Sequence, residues 1–295
     1  MVKLLAERAP AKINLFLRVV GRRADGYHEL DSVFIPVSLC DDVRVEVRGK
    51  AQSGAKTVIA LACDRSGIPP GDKNLAWRAA AAFLAEFDLE IDRPHQVAID
   101  LHKKIPVGAG LGGGSSDAGA VLRMMAALCR VNDQARLAAV ALSLGADVPF
   151  FLDPRAAHVG GVGERIAPLE AGPPRLRMVI AVPPIEVSTA EIFRALAPEQ
   201  WSGPAAAAHL RALAEGAITQ PMLQNDLAAV AMARHPEIAR LRSALIAAGA
   251  SAAAMSGSGG AVFGIFADAD AAANAAADLR RKHPEAQYYA VNSLF

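Results

Sequence analysis

The sequence predicts two α+β domains that meet near residues 155–165. Three observations favour this fold class. Residues 11–19 alternate between apolar and polar side chains, which is the period-two pattern of a half-buried strand. Residues 106–119, PVGAGLGGGSSDAG, lead from a strand pattern into a helix pattern. Strand and helix patterns are mixed on both sides of residue 155, without a regular repeat.

The first domain is predicted to combine strands with three helices. Asp25-Gly26 marks a turn after the first strand. The predicted strands cover residues 11–19, 32–39, 43–47 and 97–101, with the middle two joined through Cys40-Asp41-Asp42. The predicted helices cover residues 74–87, 115–129 and about 134–144, the last with Gly145 as its C-cap. Residues 50–73 are predicted to form a loop.

The second domain carries clearer signals at its start and its end than in its middle. A strand is predicted at residues 177–182, and Ser188-Thr189-Ala190-Glu191 has the capping-box pattern of a helix start. Residues 197–221 hold few periodic signals, and residues 225–248 are mostly helical in pattern. An alanine-rich helix and a strand at residues 288–291 are predicted to close the chain.

Composition limits the class of function. Of the 295 residues, 53% are hydrophobic and 21% are charged, which is typical of a packed globular protein. A net charge of +1 gives no basic face for nucleic acid. The N-terminus lacks a signal-peptide core, and no apolar run is long enough for a membrane span. Cys40, Cys63 and Cys129 show no paired spacing and are predicted to be free thiols. We expect a cytoplasmic protein with neither a nucleic-acid nor a membrane partner.

The glycine-rich run admits several interpretations. Gly108, Gly110 and Gly113 match the GxGxxG pattern of dinucleotide sites, with Asp133 about 20 residues further on. The preceding VAIDLHKK argues against that site, because a central parallel strand is almost continuously apolar. No GxxxxGK[ST] pattern is present either. An anion nest of backbone N–H groups at a helix start remains, and the alternative is an ordinary turn with a serine N-cap.

The run resembles the central motif Pro-x-x-x-Gly-Leu-Gly-Ser/Gly-Ser-Ser-Ala/Asp of the GHMP kinases, a family that includes galactokinase, homoserine kinase and mevalonate kinase. Further stretches resemble the same family in the expected order: PAKINLFLRVVGRRADGYHEL at 10–30, KNLAWRAA at 73–80, LGADVPFF at 144–151 and MSGSGGAVFG at 255–264. The resemblance implies a two-domain GHMP kinase fold. Residues 1–158 would form a ribosomal-S5-like domain and residues 159–295 a ferredoxin-like domain, with the site between them.

The resemblance also implies an activity. We expect an ATP-dependent kinase that phosphorylates the 2-hydroxyl of a cytidine diphosphate-linked methylerythritol in non-mevalonate isoprenoid biosynthesis. ATP and Mg²⁺ are the implied cofactors, the Mg²⁺ ligands stay open, and a monomer or weak homodimer is expected. One alternative is another GHMP kinase such as homoserine kinase, against which GYH and LGADVP argue. A non-catalytic nucleotide sensor is the other, and it would lack the Lys12–Asp147 pair.

The expected catalytic residues are Lys12 and Asp147. By itself Asp147 fits a turn before Val-Pro, and Lys12 fits a solvated lysine on the polar face that it shares with Asn14. The resemblance implies instead that Asp147 is the catalytic base. It implies that Lys12 lowers the pKa of Asp147 or of the substrate hydroxyl, or neutralises the negative charge that develops in the transition state. It also implies that Asn14 and Asp147 contact the substrate.

The remaining expected site residues follow from the resemblance. ATP would lie near Asn74 and Lys104, which could equally be a helix cap and a strand-end lysine. The run that would bind ATP comprises Pro106, Val107, Gly108, Ala109, Gly110, Leu111, Gly112, Gly113, Gly114, Ser115 and Ser116. Tyr27 would stack on cytosine while His28 reads the base edge.

Three further features are less sharply defined. Thr189 would supply a substrate-side hydroxyl, although the capping box explains it as well. Asn225 and Asp226 would lie near the substrate by family position alone. The second glycine-rich stretch, residues 256–260, is either a tight turn or a loop that closes over phosphates, and the resemblance favours the loop.

Overall fold

The computed structural model describes residues 2–49, 57–87, 94–169, 175–216 and 218–294, and within these ranges it mixes strands with helices as predicted. The chain divides into two compact units. Unit 1 comprises Met1–Ala11, Cys40–Val107 and Gly112–Pro154, and unit 2 comprises Lys12–Leu39, Gly108–Leu111 and Arg155–Phe295. The domain boundary at residues 158/159 stays a prediction. Residues 50–56 of the predicted loop lie outside the described ranges.

Two long strands, β1 (Val2–Arg22) and β2 (His28–Arg48), contribute residues to both units. In unit 1, β2 pairs antiparallel with β4 (Gln96–His102), which pairs in parallel with β3 (Val58–Cys63). The predicted loop at 57–73 was wrong where β3 lies. The predicted interruption at residues 40–42 was also wrong, because the buried Asp41 carboxylate accepts backbone N–H groups and so β2 continues through it.

Three helices complete unit 1: α1 (Leu75–Glu86), α2 (Gly113–Cys129) and α3 (Gln134–Leu144). The apolar residues at core spacing along α2 are buried, namely Ala118, Val121, Leu122, Met125 and Leu128. Gly145 ends α3 as predicted. Gly119 has a packing reason within α2, since an added Cβ would lie 2.6 Å from Cβ of Phe151. The helix therefore packs directly on the segment that follows Asp147.

Unit 2 contains two groups of antiparallel strands. In the first, β2 pairs with β5 (Ala157–Gly161), which pairs with β6 (Arg165–Pro168). The second has the order β10-β7-β9-β8, with β7 at Arg177–Val182, β8 at Ala252–Met255, β9 at Val262–Phe266 and β10 at Gln287–Asn292. The predicted strand at 177–182 is confirmed.

The helices of unit 2 are α4 (Thr189–Ala195), α5 (Ala207–Ala214), α6 (Ala228–Arg234), α7 (Pro236–Ala247) and α8 (Ala269–Lys282). The predicted helix over 225–248 is broken at His235, because the residue before a proline disfavours the helical conformation. Helix α5 lies in the stretch that showed few periodic signals. Ser188 caps α4 as predicted, through the backbone N–H of Glu191.

The open polar face predicted for residues 11–19 was wrong. Residues 9–17 are buried at every position, and Lys12 and Asn14 are only 4% and 2% exposed. The three cysteines are free thiols. No helix in the described part of the chain has the length and apolarity to span a membrane.

Candidate active site

Helix α2 begins without a side-chain cap. Gly112 is its N-cap residue, with a φ of 73° in the left-handed region, and no side chain in the described part of the chain caps its N–H groups. By contrast, Asn74 caps α1 and Asp133 caps α3. Ser115 and Ser116 lie inside α2, so the serine N-cap alternative was wrong. An uncapped helix start presents free N–H donors and about half a positive charge to an anion.

The glycine run has exposed and buried members. Val107 and Gly108 are exposed, whereas Pro106, Ala109 and Leu111 are buried. Two further glycines, Gly113 and Gly114, open α2, and Gly114 is exposed. An added Cβ on Gly113 would lie 3.0 Å from Cγ2 of Ile105, so this position is closely packed.

Part of the run packs against the second glycine-rich stretch, residues 256–260. An added Cβ on Gly110 would lie 3.0 Å from the carbonyl oxygen of Gly259, and one on Gly260 would lie 3.1 Å from Cα of Ala109. The N–H of Ala261 donates to the carbonyl of Ala109 at 3.0 Å. These glycines therefore serve backbone-to-backbone contact within the protein, in addition to any ligand.

A buried charged cluster that the sequence did not predict lies beside this run. Nζ of Lys103 donates to Oδ2 of both Asp41 and Asp117. Burial, reinforced by Asp41 and only partly offset by Lys103, raises the pKa of Asp117 to about 7. Oδ1 of Asp117 and Oγ of Ser116 are buried with no hydrogen-bond partner among the described residues. The sequence signal for this cluster is the pair of lysines between the strand and the glycine run, and the prediction there was Lys104 and not Lys103.

Lys104 and Asn74 have local structural partners. Lys104 is exposed, and its Nζ lies 2.7 Å from Oδ2 of Asp42. Oδ1 of Asn74 accepts the N–H of Ala76 at 2.9 Å, and its Nδ2 donates to the carbonyl of Pro69 at 3.2 Å. The helix-cap alternative for Asn74 is therefore confirmed, and its contact with ATP stays a prediction.

Asp147 lies in the short turn between α3 and a 3₁₀ turn at Pro149–Leu152. It is half-buried, and the N–H of Val148 donates to the carbonyl of Gly145 at 3.1 Å. Phe151 in the 3₁₀ turn contacts α2 through Gly119 and through Arg123, whose Nη1 donates to the Phe151 carbonyl. The turn is thereby anchored to the helix that the glycine run begins.

Lys12 is a buried ammonium with defined neighbours. Its Nζ donates to Oδ1 of Asn14 at 2.7 Å and lies 4.4 Å from the ring centroid of Phe34. Asn14 in turn donates from Nδ2 to Oγ of Ser32 at 3.0 Å, and its N–H donates to Oγ of Ser256. The alternative of a solvated Lys12 was wrong, and Asn14 orients the ammonium.

Aromatic rings gather around His28 in unit 2. The His28 ring stacks on Phe193 at a centroid distance of 5.2 Å, and Trp201 packs edge-on at 5.8 Å. Tyr27 beside it is 65% exposed. Burial lowers the pKa of His28, and Arg22 lowers it further, which favours the neutral imidazole. Sequence reasoning missed Phe193 and Trp201, which come from distant segments with no shared pattern.

Thr189, Asn225 and Asp226 all hold loops of unit 2. The hydroxyl of Thr189 lies 2.7 Å from that of Ser258, and Ser188 supplies the helix cap instead. Nδ2 of Asn225 donates to the carbonyl of Gly257 at 2.8 Å and to that of Met255 at 3.0 Å. Asp226 accepts the N–H groups of Val19 and Ser202. Thr189 and Asn225 thus brace the second glycine-rich stretch.

Two family models match parts of the chain. The family model described as "GHMP kinases N terminal domain" matches residues 74–153, and "GHMP kinases C terminal" matches residues 205–285. The chain belongs to the GHMP kinase family. As a GHMP kinase it is an enzyme, and the family implies ATP as the phosphate donor.

Three individual proteins show how similar the chain is to particular GHMP kinases. The chain is 45% identical over 275 residues to the 4-diphosphocytidyl-2-C-methyl-D-erythritol kinase of Anaeromyxobacter dehalogenans, covering 92% of this chain and 84% of the relative. A crystal structure of 4-(cytidine 5'-diphospho)-2C-methyl-D-erythritol kinase is 39% identical, with a TM-score of 0.82 over 98% of this chain and 99% of the other. Homoserine kinase from Cytophaga hutchinsonii shares the fold at 17% identity and a TM-score of 0.73, covering 99% and 94% of the two chains.

Proposed function

We propose that this GHMP kinase transfers the γ-phosphate of ATP to the 2-hydroxyl of 4-diphosphocytidyl-2-C-methyl-D-erythritol. The observation that carries the substrate is the 45% identity, over 92% of the chain, to a relative of that name. The homoserine kinase alternative is less favoured, because its structural likeness comes with only 17% identity. A non-catalytic sensor is not favoured, because Lys12 and Asp147 are both present.

The phosphate end of the site is the run Pro106–Ser116 with the start of α2. Free N–H groups of the first turn of α2 would bind phosphate oxygens, and the left-handed Gly112 allows the close backbone approach. Asn74 and Lys104 are proposed near ATP on family grounds. Their observed partners indicate that Asn74 also caps α1 and that Lys104 is balanced by Asp42.

We further propose that Mg²⁺ enters with ATP. Mg²⁺ prefers oxygen ligands and is commonly held by substrate phosphates and one or two protein oxygens. The buried hydroxyl of Ser116, which has no partner among the described residues, fits such a ligand. Bound Mg²⁺ would neutralise phosphate charge. Chelation by EDTA should abolish turnover, and added Mg²⁺ should restore it.

Asp147 and Lys12 are proposed as the catalytic pair. Asp147 would accept the proton of the attacking hydroxyl, which activates that oxygen. Lys12 would stabilise negative charge in the transition state, and its buried ammonium is already oriented by Asn14 and Phe34. Such a fixed charge costs little reorganisation during the reaction.

The base end of the site comprises Tyr27, His28, Phe193 and Trp201. The exposed ring of Tyr27 offers a stacking face for cytosine, and the neutral His28 offers a hydrogen-bonding edge. Four further residues are proposed to lie near the rest of the substrate: Asn14, Thr189, Asn225 and Asp226. Their hydrogen bonds to Lys12 and to the neighbouring loops support a bracing role as well.

The deciding experiment compares acceptors in one ATP-turnover assay. Turnover should require the diphosphocytidyl substrate and be poor with homoserine, mevalonate or methylerythritol phosphate. A preference for homoserine or mevalonate would overturn the proposed substrate and leave the family assignment unchanged.

Light scattering tests the proposed monomer or weak homodimer. The free thiols are consistent with the proposed cytoplasmic location, which fractionation would check.

A further inference from the structure

The buried cluster of Asp41, Lys103 and Asp117 has no place in the proposed chemistry. Oδ2 of Asp117 lies 2.5 Å from Nζ of Lys103, and Asp41 is the second carboxylate on the same ammonium. The side chains of Asp41, Lys103 and Asp117 are 0%, 4% and 4% exposed. Two carboxylates thus share one ammonium out of contact with water.

The cluster joins the two segments that flank the glycine run. Oδ1 of Asp41 accepts the N–H of Lys104 at 2.6 Å and that of Ile105 at 2.8 Å, which fixes the backbone just before Pro106. Asp117 lies near the start of α2, just after the run. A single ammonium therefore ties the entry of the run to the helix that follows it.

A second contact connects the same two segments, on either side of the glycine run. The position of a Cβ on Gly113 is 3.0 Å from Cγ2 of Ile105 and 3.6 Å from Oδ2 of Asp41. Glycine-rich backbone has many accessible conformations, so its N–H groups converge on a ligand only if both ends are held.

We propose that Asp41, Lys103 and Asp117 are positioning residues that hold the ends of the run at the spacing required for binding the phosphates of ATP. This inference rests on the proposed function, since it presupposes that the run binds ATP. Stability alone explains the cluster poorly, because buried ion pairs often contribute less than apolar residues of similar volume. A surplus buried carboxylate makes that balance worse.

The test compares Asp117→Ala with Asp117→Asn in the full-length enzyme. Alanine removes the acceptor for Lys103, whereas asparagine keeps an acceptor oxygen of the same reach. Glu7→Ala is the matched control, because Glu7 pairs at 2.6 Å with Arg123 further along the same helix. Titration calorimetry with a non-hydrolysable ATP analogue gives the Kd, steady-state assays give KM and kcat, and circular dichroism gives the Tm.

We expect Asp117→Ala to raise the Kd and KM for ATP by roughly tenfold or more, as befits a lost charge-assisted hydrogen bond. The KM for the diphosphocytidyl substrate and kcat should stay within about threefold. Asp117→Asn and Glu7→Ala should leave the ATP Kd within about threefold of wild type. If the alanine variant does not fold, Asp117→Leu fills the volume without an acceptor.

An unchanged ATP Kd in a folded Ala or Leu variant would overturn the inference. An equal loss in Asp117→Asn or Glu7→Ala would overturn it as well, since the tether would then not be the cause. Gly112→Val separates this failure from that of the proposed function. If Gly112→Val weakens ATP binding while Asp117→Ala does not, only the positioning role is wrong. If neither does, the run is not the ATP site.

Discussion

The phosphate end and the base end of the proposed site come from different parts of the chain. At the phosphate end the proposed binding groups are backbone N–H groups, from one continuous run that leads into α2. At the base end they are rings from three separate segments, at residues 27–28, 193 and 201. One end therefore depends on backbone conformation, and the other depends on side-chain identity.

This difference explains what each end can discriminate. Backbone donors bind any phosphate chain of suitable length, which suits a donor substrate shared by a whole family. Stacked rings and a histidine edge recognise one kind of base through shape and hydrogen bonds. Substitutions at the two ends should therefore separate ATP binding from recognition of the diphosphocytidyl substrate.

The largest expected effect belongs to neither end. Asp147→Asn should lower kcat by ~10²–10⁴-fold, because asparagine cannot accept the proton of the attacking hydroxyl. ATP binding by calorimetry and the circular dichroism spectrum should match those of wild type. Turnover within a few-fold of wild type would remove Asp147 from the mechanism.

Gly112→Val should break the phosphate end. Left-handed conformation costs a residue with a Cβ roughly 1–2 kcal/mol, and the branched side chain also blocks the approach of phosphate. We expect the ATP KM to rise at least about tenfold, with a smaller change in the KM of the other substrate.

A matched control separates the effect of backbone strain from the effect of blocking the approach of phosphate. Gly67 has a φ of 84° and open space around it, so Gly67→Val carries similar strain outside the run. It should lower the Tm without changing the ATP KM. An equal rise in the ATP KM of both variants would argue against an anion site at Gly112.

Tyr27→Ala should break the base end alone. Loss of a stacking ring costs ~1–3 kcal/mol per base, or roughly 5–150-fold in affinity. The loss should appear in the KM for the diphosphocytidyl substrate while the ATP KM stays nearly unchanged. Since Tyr27 is 65% exposed, stability should hardly change. Intact substrate binding would remove cytosine stacking from the proposal.

The sequence predicted the phosphate end and the base end to different extents. The glycine run could be recognised in the sequence, because left-handed and closely packed backbone restricts the residue type to glycine, and its binding of phosphate stays a prediction. At the base end only Tyr27 and His28 were predicted, through family resemblance, and their contact with a base stays a prediction. Phe193 and Trp201 were missed, because the contacts of separate segments with His28 leave no local pattern.

The fold shows the same limit. Capping signals predicted the end of α3 at Gly145 and the start of α4 at Ser188, since such signals act within a few residues. The continuity of β2 through Asp41 was missed, because Lys103, Lys104 and Ile105 satisfy its carboxylate from a distant segment. Burial of Lys12 was missed for a similar reason, as Phe34 and Ser32 of β2 help to enclose the Lys12–Asn14 pair.

Asn74→Ala should have a smaller effect, on stability. The lost cap of α1 should cost ~1 kcal/mol of unfolding free energy, which urea titration measures. Asn74→Ser keeps an oxygen that can cap and should recover most of that loss. An ATP KM raised in both variants would support direct contact with ATP, whereas a KM unchanged in both would leave Asn74 as a cap.

The smallest expected effect is a pH dependence of the unfolding free energy, which comes from Asp31 beside the base end. Burial alone would raise the pKa of Asp31, but hydrogen bonds from His158 at 2.6 Å and from the N–H of Ala205 hold it below the usual 3.8. Ala205 lies just after Trp201, so Asp31 anchors a segment of the base end.

Because the folded-state pKa of Asp31 is lowered, its carboxylate stabilises the fold above pH 3.8 and loses that contribution as the pH falls through the folded-state value. Asp31→Asn should therefore lower the unfolding free energy at pH 7, and the deficit should shrink below pH 3.8. Asp278→Asn is the control, since Asp278 pairs with Lys282 on the open surface of α8 and exposed pairs contribute little. A deficit of equal size at pH 7 and pH 3 would mean that the hydrogen-bond geometry of Asp31, and not its charge, holds the segment.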